Sequence, residues 1–332
     1  METPYHGDAA ISQEATCDAL THPPIRQESS PVTIPLSIVV VAHDMGRELP
    51  RTLRTLSPDY QRGIDASDYE IVVVDNGSPR PIDESAIAAL PGRATLLRVD
   101  PAPPSPARSA NQGVEMAEGE LVGLIVDGAR MASPGLLSSA LLATRLADRP
   151  IIAAPGYHLG SDRHMQAADS GYDQSLEDRL LGDVAWEQDG YKLFEISTLA
   201  ASSGRGWFGP MGESSALFMR PETWRQLDGL DERFELPGGG LVNHDLYRRA
   251  CALEGSQLIV LLGEGTFHQF HGGAATSRRL RWEEMHAEYE AIRRQPYRPP
   301  ANQPLYFGRV SPAAFSHLEQ SVQLARKRLR RS

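Results

Sequence analysis

The sequence predicts an α/β protein with a mixed, mostly parallel sheet flanked by helices and with a helical extension at its C-terminus. Three nearly continuous apolar runs, at residues 36–41, 69–74 and 121–126, carry this prediction. Such runs are too apolar for a strand with one face in water and are typical of strands covered on both sides. Leucines at helical spacing separate the first two runs. Strand, helix and strand in succession favour parallel pairing with right-handed connections.

The flanking segments differ in character. Residues 1–34 are rich in Glu, Ser, Pro and Thr without a period, which predicts a disordered tail. Residues 156–205 mix charges and aromatic residues without clean periodicity and are interpreted as an irregular insertion. Residues 276–332 are predicted to form a helical extension. Further strands are predicted at 94–99, 151–154, 214–220 and 257–262, and further helices at 108–117, 134–147, 221–229, within 241–254, at 277–295 and at 312–331.

Composition excludes several classes of protein. The 332 residues carry a net charge of -10, and 41% of them are hydrophobic, as in a globular domain. Such a charge argues against a nucleic-acid-binding surface, which needs a broad positive field. Only residues 325–331 are basic, which allows at most a peripheral contact with an anionic membrane. The two cysteines form no metal-ligand spacing, and no signal or membrane-spanning pattern occurs, so we expect a cytoplasmic protein.

Two acidic residues follow the buried strands directly. Asp75 ends the second apolar run and Asp127 ends the third. The carboxyl ends of parallel strands meet at one edge of the sheet, where ligands bind in open α/β folds. Both residues also have a structural alternative: Asp75 can hold its own turn, and Asp127 can cap the turn before the helix that begins near Pro134.

Four segments follow one another in a known order. They are SIVVVAHDMGRELPRTLRTL, YEIVVVDNGS, NQGVEMAEGELVGLIVDGA and GESSALFMRPETWRQLDGLDERFELPGGGLVNHDLYRRA. Together they resemble the family-two glycosyltransferases of the nucleotide-diphosphosugar (GT-A) type, over residues 36–273. The resemblance implies a Rossmann-like GT-A domain at residues 35–275. Its nucleotide-binding half is 35–130 and its acceptor half, with the insertion 156–205, is 131–275.

The resemblance also implies a function. The chain is expected to be a hexosyltransferase-like enzyme that moves a sugar from a UDP- or GDP-sugar to a saccharide, lipid or small-molecule acceptor. A divalent metal, Mn or Mg, is expected at Asp127, the first carboxylate of the family's Asp-X-Asp motif, although Ala129 replaces the second. The residues that match the donor site are Ala42, His43, Asp44, Asp75, Arg108, Asn111, Asp127 and Arg130.

Two further motifs concern the metal and the catalytic base. Some relatives close the diphosphate site with a histidine after the last strand, so His268 and His271 are candidate metal ligands, and imidazole suits Mn better than Mg. Inverting relatives carry a Glu-Asp-X-Asp-Leu stretch that supplies a base, but here Val242 and Asn243 replace the acidic pair. The base is therefore His244, Asp245, Glu213 or another group, or the enzyme retains configuration and uses none.

Two other functions remain open at this stage. The missing acidic residues are compatible with a non-catalytic nucleotide-sugar-binding protein. A sugar-phosphate nucleotidyltransferase could share the fold, but its Gly-rich, basic loop after the first strand is poorly matched by residues 42–46.

Overall fold

The computed structural model describes residues 33–162, 171–271 and 282–330. The predicted tail lies outside this part of the chain up to residue 32, and the first strand begins at Ile34. Residues 33–332 form one compact unit. No helix in the described ranges combines the length and the apolar character that a membrane crossing requires.

Twelve strands and nine α-helices occur in the described residues. The strands are β1 (Ile34–Ala42), β2 (Tyr69–Asp75), β3 (Arg93–Arg98), β4 (Gly119–Ile125), β5 (Arg130–Ala132), β6 (Arg149–Ala154), β7 (Gly156–Leu159), β8 (Ser197–Leu199), β9 (Ala216–Met219), β10 (Ser256–Leu262), β11 (Thr266–His268) and β12 (Leu305–Gly308). The helices are α1 (Leu49–Thr55), α2 (Glu84–Ala88), α3 (Ala107–Met116), α4 (Leu136–Ala143), α5 (Gln174–Val184), α6 (Pro221–Leu227), α7 (Val242–Ala252), α8 (Trp282–Arg293) and α9 (Phe315–Leu329).

The main sheet has eight strands in the order β12-β10-β6-β9-β4-β1-β2-β3. Only β9 runs antiparallel to its neighbours, β4 and β6, and every other pair is parallel. The predicted mixed, mostly parallel sheet flanked by helices is therefore confirmed. Strands β1 and β2 are almost wholly buried along their length, as continuous apolar runs require.

The C-terminal extension contains more than the predicted helices. Besides α8 and α9 it supplies β12, which pairs in parallel with β10 at the edge of the main sheet. The segment LYFG is only four residues long and is largely exposed, so it carries neither the alternation nor the apolar run by which strands are recognised. Its pairing partner alone makes it a strand.

A second sheet was not predicted. It has four strands in the order β5-β11-β7-β8, each three or four residues long. Two of them, β7 and β8, come from the segment that the sequence predicted to be irregular. The sheet packs on aromatic rings: Tyr157 lies edge-on to Phe194 at 5.1 Å, and Phe194 lies edge-on to Phe267 at 4.8 Å between ring centroids. Aromatic burial thus holds together strands too short to be stable alone.

A buried glutamate connects the second sheet to α4. Glu264 accepts hydrogen bonds from the Ser133 hydroxyl at 2.5 Å, the Gly135 backbone at 3.2 Å and the Tyr191 hydroxyl at 2.8 Å. Burial raises the pKa of Glu264 from 4.5 to about 7. The folded protein therefore binds one more proton than the unfolded chain between these values, so this group makes stability decrease as pH rises through that range.

Glu264→Gln is expected to reduce the loss of stability between pH 5 and pH 8. The pKa shift corresponds to about 3 kcal/mol of the free energy of unfolding. The wild type loses this amount as Glu264 ionises, whereas the neutral glutamine side chain has no such loss. Urea unfolding at several pH values measures the effect, with Glu118→Gln, a change at an exposed glutamate paired with Arg93, as the matched control. If the free energy of unfolding of Glu264→Gln falls with pH as steeply as that of the wild type, Glu264 is already ionised in the folded protein.

Candidate active site

The turns after β1 and β2 are tied together at the carboxyl edge of the main sheet. The Asn76 amide donates to the Ala42 carbonyl at 2.8 Å, and the Asp44 amide donates to the Ser78 hydroxyl at 2.9 Å. His43 Nδ1 lies 2.8 Å from the Asn76 carbonyl oxygen. Because β1 lies between β2 and β4, the turns that hold Asp75 and Asp127 share this edge. The predicted nucleoside-binding residues thus lie side by side.

Asp75 holds its own turn. One carboxylate oxygen accepts from the Ser78 amide at 2.9 Å, and the other accepts from the Ile82 amide at 3.2 Å and from Arg98 at 2.6 Å. Burial opposes the charge, but these hydrogen bonds lower the pKa of Asp75 below its usual value. The side chain is 1% exposed, so the structure gives Asp75 the turn-holding role that the sequence left open. Direct contact with a nucleotide base stays a prediction.

Arg108 and Asn111, one turn apart on α3, have different environments. Asn111 is clamped to the chain beyond α6: its amide donates to the Leu230 carbonyl at 2.9 Å, and its oxygen accepts from the Leu230 amide at 2.8 Å. Its side chain thus ties α3 to this segment, and the predicted donor contact stays a prediction. Arg108 is exposed and lines a cavity of about 450 Å³ together with Pro103, Pro104, Ser105, Ala107, Glu232 and Glu235.

Asp127, His268 and His271 converge after β4. Asp127 Oδ2 lies 2.8 Å from His268 Nε2 and 3.7 Å from His271 Nε2, and the two imidazole nitrogens are 3.0 Å apart. Nitrogen and oxygen ligands bind a transition metal at about 2.0–2.2 Å, so ligands of one ion lie roughly 3 to 3.5 Å apart. The three side chains therefore fit one divalent ion.

The second sheet brings these residues together. In its register His268 stands opposite Arg130 on β5 and opposite His158 on β7. The Gln269 amide continues the contact by donating to the Ala129 carbonyl at 2.8 Å. The histidine loop is therefore fastened by backbone pairing to the turn that carries Asp127, although the two are far apart in the chain.

The protonation states suit a metal site. Burial would raise the pKa of Asp127, but the neighbouring imidazoles of His268 and His271 hold it well below its usual value. Burial lowers the pKa of His268 to about 4, against the attraction of Asp127. For His271 burial is outweighed by Asp127, and its pKa lies above the usual value. An ionised carboxylate and a neutral His268 are the forms that bind metal ions.

Arg130 adds positive charge beside this cluster. Its Nε lies 3.8 Å from Asp127 Oδ2, and the side chain is 15% exposed. Its Nη1 is buried and has no hydrogen-bond partner in the described part of the chain. A buried guanidinium N–H without a partner is costly, and it suits an anionic ligand that would complete its hydrogen bonds.

Asp245, one of the predicted catalytic residues, lies in a buried ion-pair network, and its catalytic role stays a prediction. The side chain is fully buried, with one oxygen 2.5 Å from Arg293 Nε and the other 2.7 Å from Arg249 Nε. Arg293 also pairs with Asp231 at 2.8 Å. Both oxygens of this carboxylate are thus engaged by guanidinium groups in a side chain that is closed to solvent.

His244 and Glu213 meet at the start of α7. His244 Nδ1 lies 3.4 Å from Glu213 Oε2, and the two side chains are 11% and 16% exposed. Two of the predicted candidate bases are therefore neighbours. Unlike Asp245, neither forms an ion pair with an arginine in the described residues.

Comparison with solved structures places this architecture. No protein-family model and no curated protein matches the sequence. Among solved structures, S. aureus TarS 1–349 in complex with UDP-GlcNAc matches with a TM-score of 0.52 and 12% identity, over 77% of this chain and 67% of that one. The chain shares the GT-A fold.

Other GT-A structures match less closely in shape. S. aureus TarS 1–349 without a named ligand has a TM-score of 0.48 and 12% identity, over 71% of this chain and 60% of that one. The mannosyltransferase PcManGT from Pyrobaculum calidifontis, in complex with GDP-Man and Mn2+, has a TM-score of 0.45 and 17% identity, over 88% and 70%. The chain thus spans less than two thirds of the length of the first of these TarS structures.

Within this GT-A fold, Ala129 is not a vacant ligand position. It is fully buried, and its carbonyl receives the Gln269 amide. Ala129→Asp, which would restore the family's second carboxylate, is therefore expected to destabilise the protein by about 2 kcal/mol or more, because the new charge has no solvent. Urea unfolding measures this, and an Ala129→Asp protein with unchanged stability and tighter Mn binding would contradict it. Ala129→Ser, which adds less volume and no charge, is the matched control.

Sequence reasoning missed the residues that hold the histidine loop from the other side. Glu177, on α5, is fully buried and accepts from the Phe270 amide at 2.6 Å. Arg47 contacts Glu177 at 3.3 Å and Asp178 at 2.6 Å, so it links the turn after β1 to α5. No local pattern relates these positions, since they meet only when the insertion folds over the GT-A edge.

Proposed function

We infer that the protein is a metal-dependent glycosyltransferase that transfers a hexosyl group from a UDP- or GDP-sugar to an acceptor. One observation carries this inference: a carboxylate and two histidines, spaced for one divalent ion, lie beside a buried arginine at the carboxyl edge of a GT-A sheet. This is where ligands bind in open α/β folds.

The donor set supports the metal. A carboxylate with two imidazoles leaves coordination positions open for phosphate oxygens and favours Mn²⁺ over Mg²⁺, which prefers oxygen ligands. When bound, such an ion would neutralise the charge that develops on the departing nucleoside diphosphate.

The chain's own residues supply the rest of the donor site. Arg130 offers a buried N–H to a diphosphate oxygen and fixes it without reorganisation. The turns after β1 and β2 are hydrogen-bonded to each other, from the Asn76 backbone to the Ala42 carbonyl and from the Asp44 backbone to the Ser78 hydroxyl. They would form one side of the donor site. Arg108 borders the cavity at the start of α3 and is positioned to meet a further anionic or polar group of the nucleotide.

The test combines binding with turnover. UDP, GDP and their sugars are added at saturating concentration with MnCl₂, MgCl₂ or EDTA, and thermal stability and release of nucleoside diphosphate are followed. One nucleotide is expected to stabilise the protein with Mn²⁺ only, by about 2.7 kcal/mol at a hundredfold excess over Kd. Sugar release with this nucleotide supports the transferase, whereas stabilisation without any turnover supports a non-catalytic binding protein. The absence of stabilisation by every nucleotide would overturn both.

A further inference from the structure

A second cluster of polar and aromatic side chains lies where α7 and α8 begin. The ring of His244 lies 5.3 Å from Tyr297 and 6.4 Å from Trp282, and Trp282 lies 4.5 Å from His286. Glu213 closes the cluster against His244. Trp282 is 56% exposed, which is unusual for so large a ring with so many neighbours.

Several polar atoms of this cluster are buried and make no hydrogen bond of good geometry within the described residues. His244 is only 9% exposed, and its Nδ1 makes no hydrogen bond of good geometry with any described residue. Asn243 Oδ1 and His286 Nε2 are also buried and make no hydrogen bond with a described residue. Buried polar atoms in this state usually belong to a site that water or a ligand completes. In a protein without its substrate, catalytic hydrogen bonds are often long, as the 3.4 Å contact between His244 and Glu213 is.

The chain segment that carries Glu213 passes near Arg130. A Cβ built on Gly156 would lie 2.6 Å from Ser215 Oγ and 3.6 Å from Arg130 Nη1, so Ser215 and Arg130 are neighbours. Glu213 is two residues before Ser215, a span of at most about 7 Å. The hydroxyl of Ser214 fixes this stretch by bonding to Ala154 and Ala216. Glu213 therefore lies on the same short segment as Ser215, the residue that neighbours Arg130.

We propose that Glu213 and His244 form a catalytic dyad for a saccharide acceptor whose ring rests on Trp282. His244 Nε2 takes the proton of the acceptor hydroxyl, and the Glu213 carboxylate positions the imidazole through Nδ1–H. The hydroxyl oxygen forms a bond to the anomeric carbon as the bond from that carbon to the diphosphate oxygen breaks, and the diphosphate leaves with the electron pair. This proposal rests on the proposed transferase function.

The polarity of the cluster selects a saccharide over a lipid. An exposed tryptophan face accepts the apolar face of a sugar ring, and the surrounding imidazoles and carboxylate pair with its hydroxyls. The alkyl chain of a lipid would instead leave these polar groups desolvated and unpaired. An amine acceptor would need no such set of hydroxyl partners.

The experiment measures transfer to soluble mono- and disaccharides with the full-length protein, with donor hydrolysis as the baseline. His244→Gln is expected to lower kcat for transfer by about 10²-fold or more. Glu213→Gln should lower kcat with an unchanged KM for the donor, and Glu213→Asp should recover part of the loss. Trp282→Ala should raise KM for the acceptor about tenfold with little change in kcat, and Trp282→Phe should restore it.

Controls separate this proposal from the function on which it rests. Phe315→Ala removes a half-exposed ring elsewhere on the surface and Glu222→Gln an exposed carboxyl on α6, and neither should alter kinetics. If the wild-type protein binds no nucleotide with Mn²⁺, the transferase function fails and this proposal fails with it. If it hydrolyses a donor but no saccharide accelerates turnover, or His244→Gln transfers normally, only the acceptor proposal is overturned. A lipid or amine acceptor that is indifferent to Trp282→Ala would also overturn it.

Discussion

Asp127→Asn is expected to remove metal-dependent turnover while leaving the fold intact. The amide keeps the size of the side chain but lacks the charge that Oδ2 now presents, 2.8 Å from His268. The two imidazoles alone hold a divalent ion weakly, and the leaving diphosphate would lose the charge that stabilises it. We expect donor hydrolysis to fall by about 10³-fold or more.

Three measurements check this prediction. Release of nucleoside diphosphate gives the rate, a Mn²⁺ titration followed by thermal unfolding gives the metal affinity, and circular dichroism verifies the fold. Asp59→Asn, at a largely exposed carboxylate paired with Arg54 at 3.6 Å, is the matched control and should behave like the wild type. If Asp127→Asn is fully active in the presence of EDTA, the proposed transferase does not depend on a metal at this site.

Arg293→Ala is expected to have the largest effect on stability. Its guanidinium donates to both oxygens of the fully buried Asp245, at 2.5 and 2.6 Å, and pairs with Asp231 at 2.8 Å. The hydrogen bonds that Arg293 donates to Asp245 raise the pKa of Arg293 above its usual value despite burial. Removing the guanidinium leaves a buried carboxylate with Arg249 alone. Breaking a buried ion pair from one side costs about 3–5 kcal/mol.

Urea unfolding measures this loss, and Arg233→Ala provides the control. Arg233 pairs with Asp231 at 2.6 Å in the same network but is 65% exposed, so its removal should lower stability far less than Arg293→Ala does. Equal losses in the two variants would mean that Asp245 is not buried as described. Asp245→Asn completes the test: it should lower stability, yet the folded fraction should keep its turnover, because we expect Asp245 to act through its ion pairs and not as the base.

Part of the site could be predicted from local sequence. The buried strands were evident because continuous apolar runs bounded by turns have few other structural solutions, and Asp75 and Asp127 could be placed at one edge because parallel strands end together. The two histidines could be proposed as ligands because relatives in the resembled family place a histidine after the last strand. For the catalytic base, the sequence yielded only a set of candidates that includes His244, Asp245 and Glu213.

The sequence by itself determined the central strands of the main sheet, the edge at which ligands are expected to bind and the acidic residue that follows β4, since each depends on a pattern within about ten residues. Tertiary structure alone decided the rest. It joined β11 to β5, which places His268 against Asp127, and it buried Asp245 between Arg249 and Arg293 while leaving Glu213 beside His244. The physical reason is that charge pairing and short-strand pairing depend on which distant segments meet, and no local pattern of residues records that.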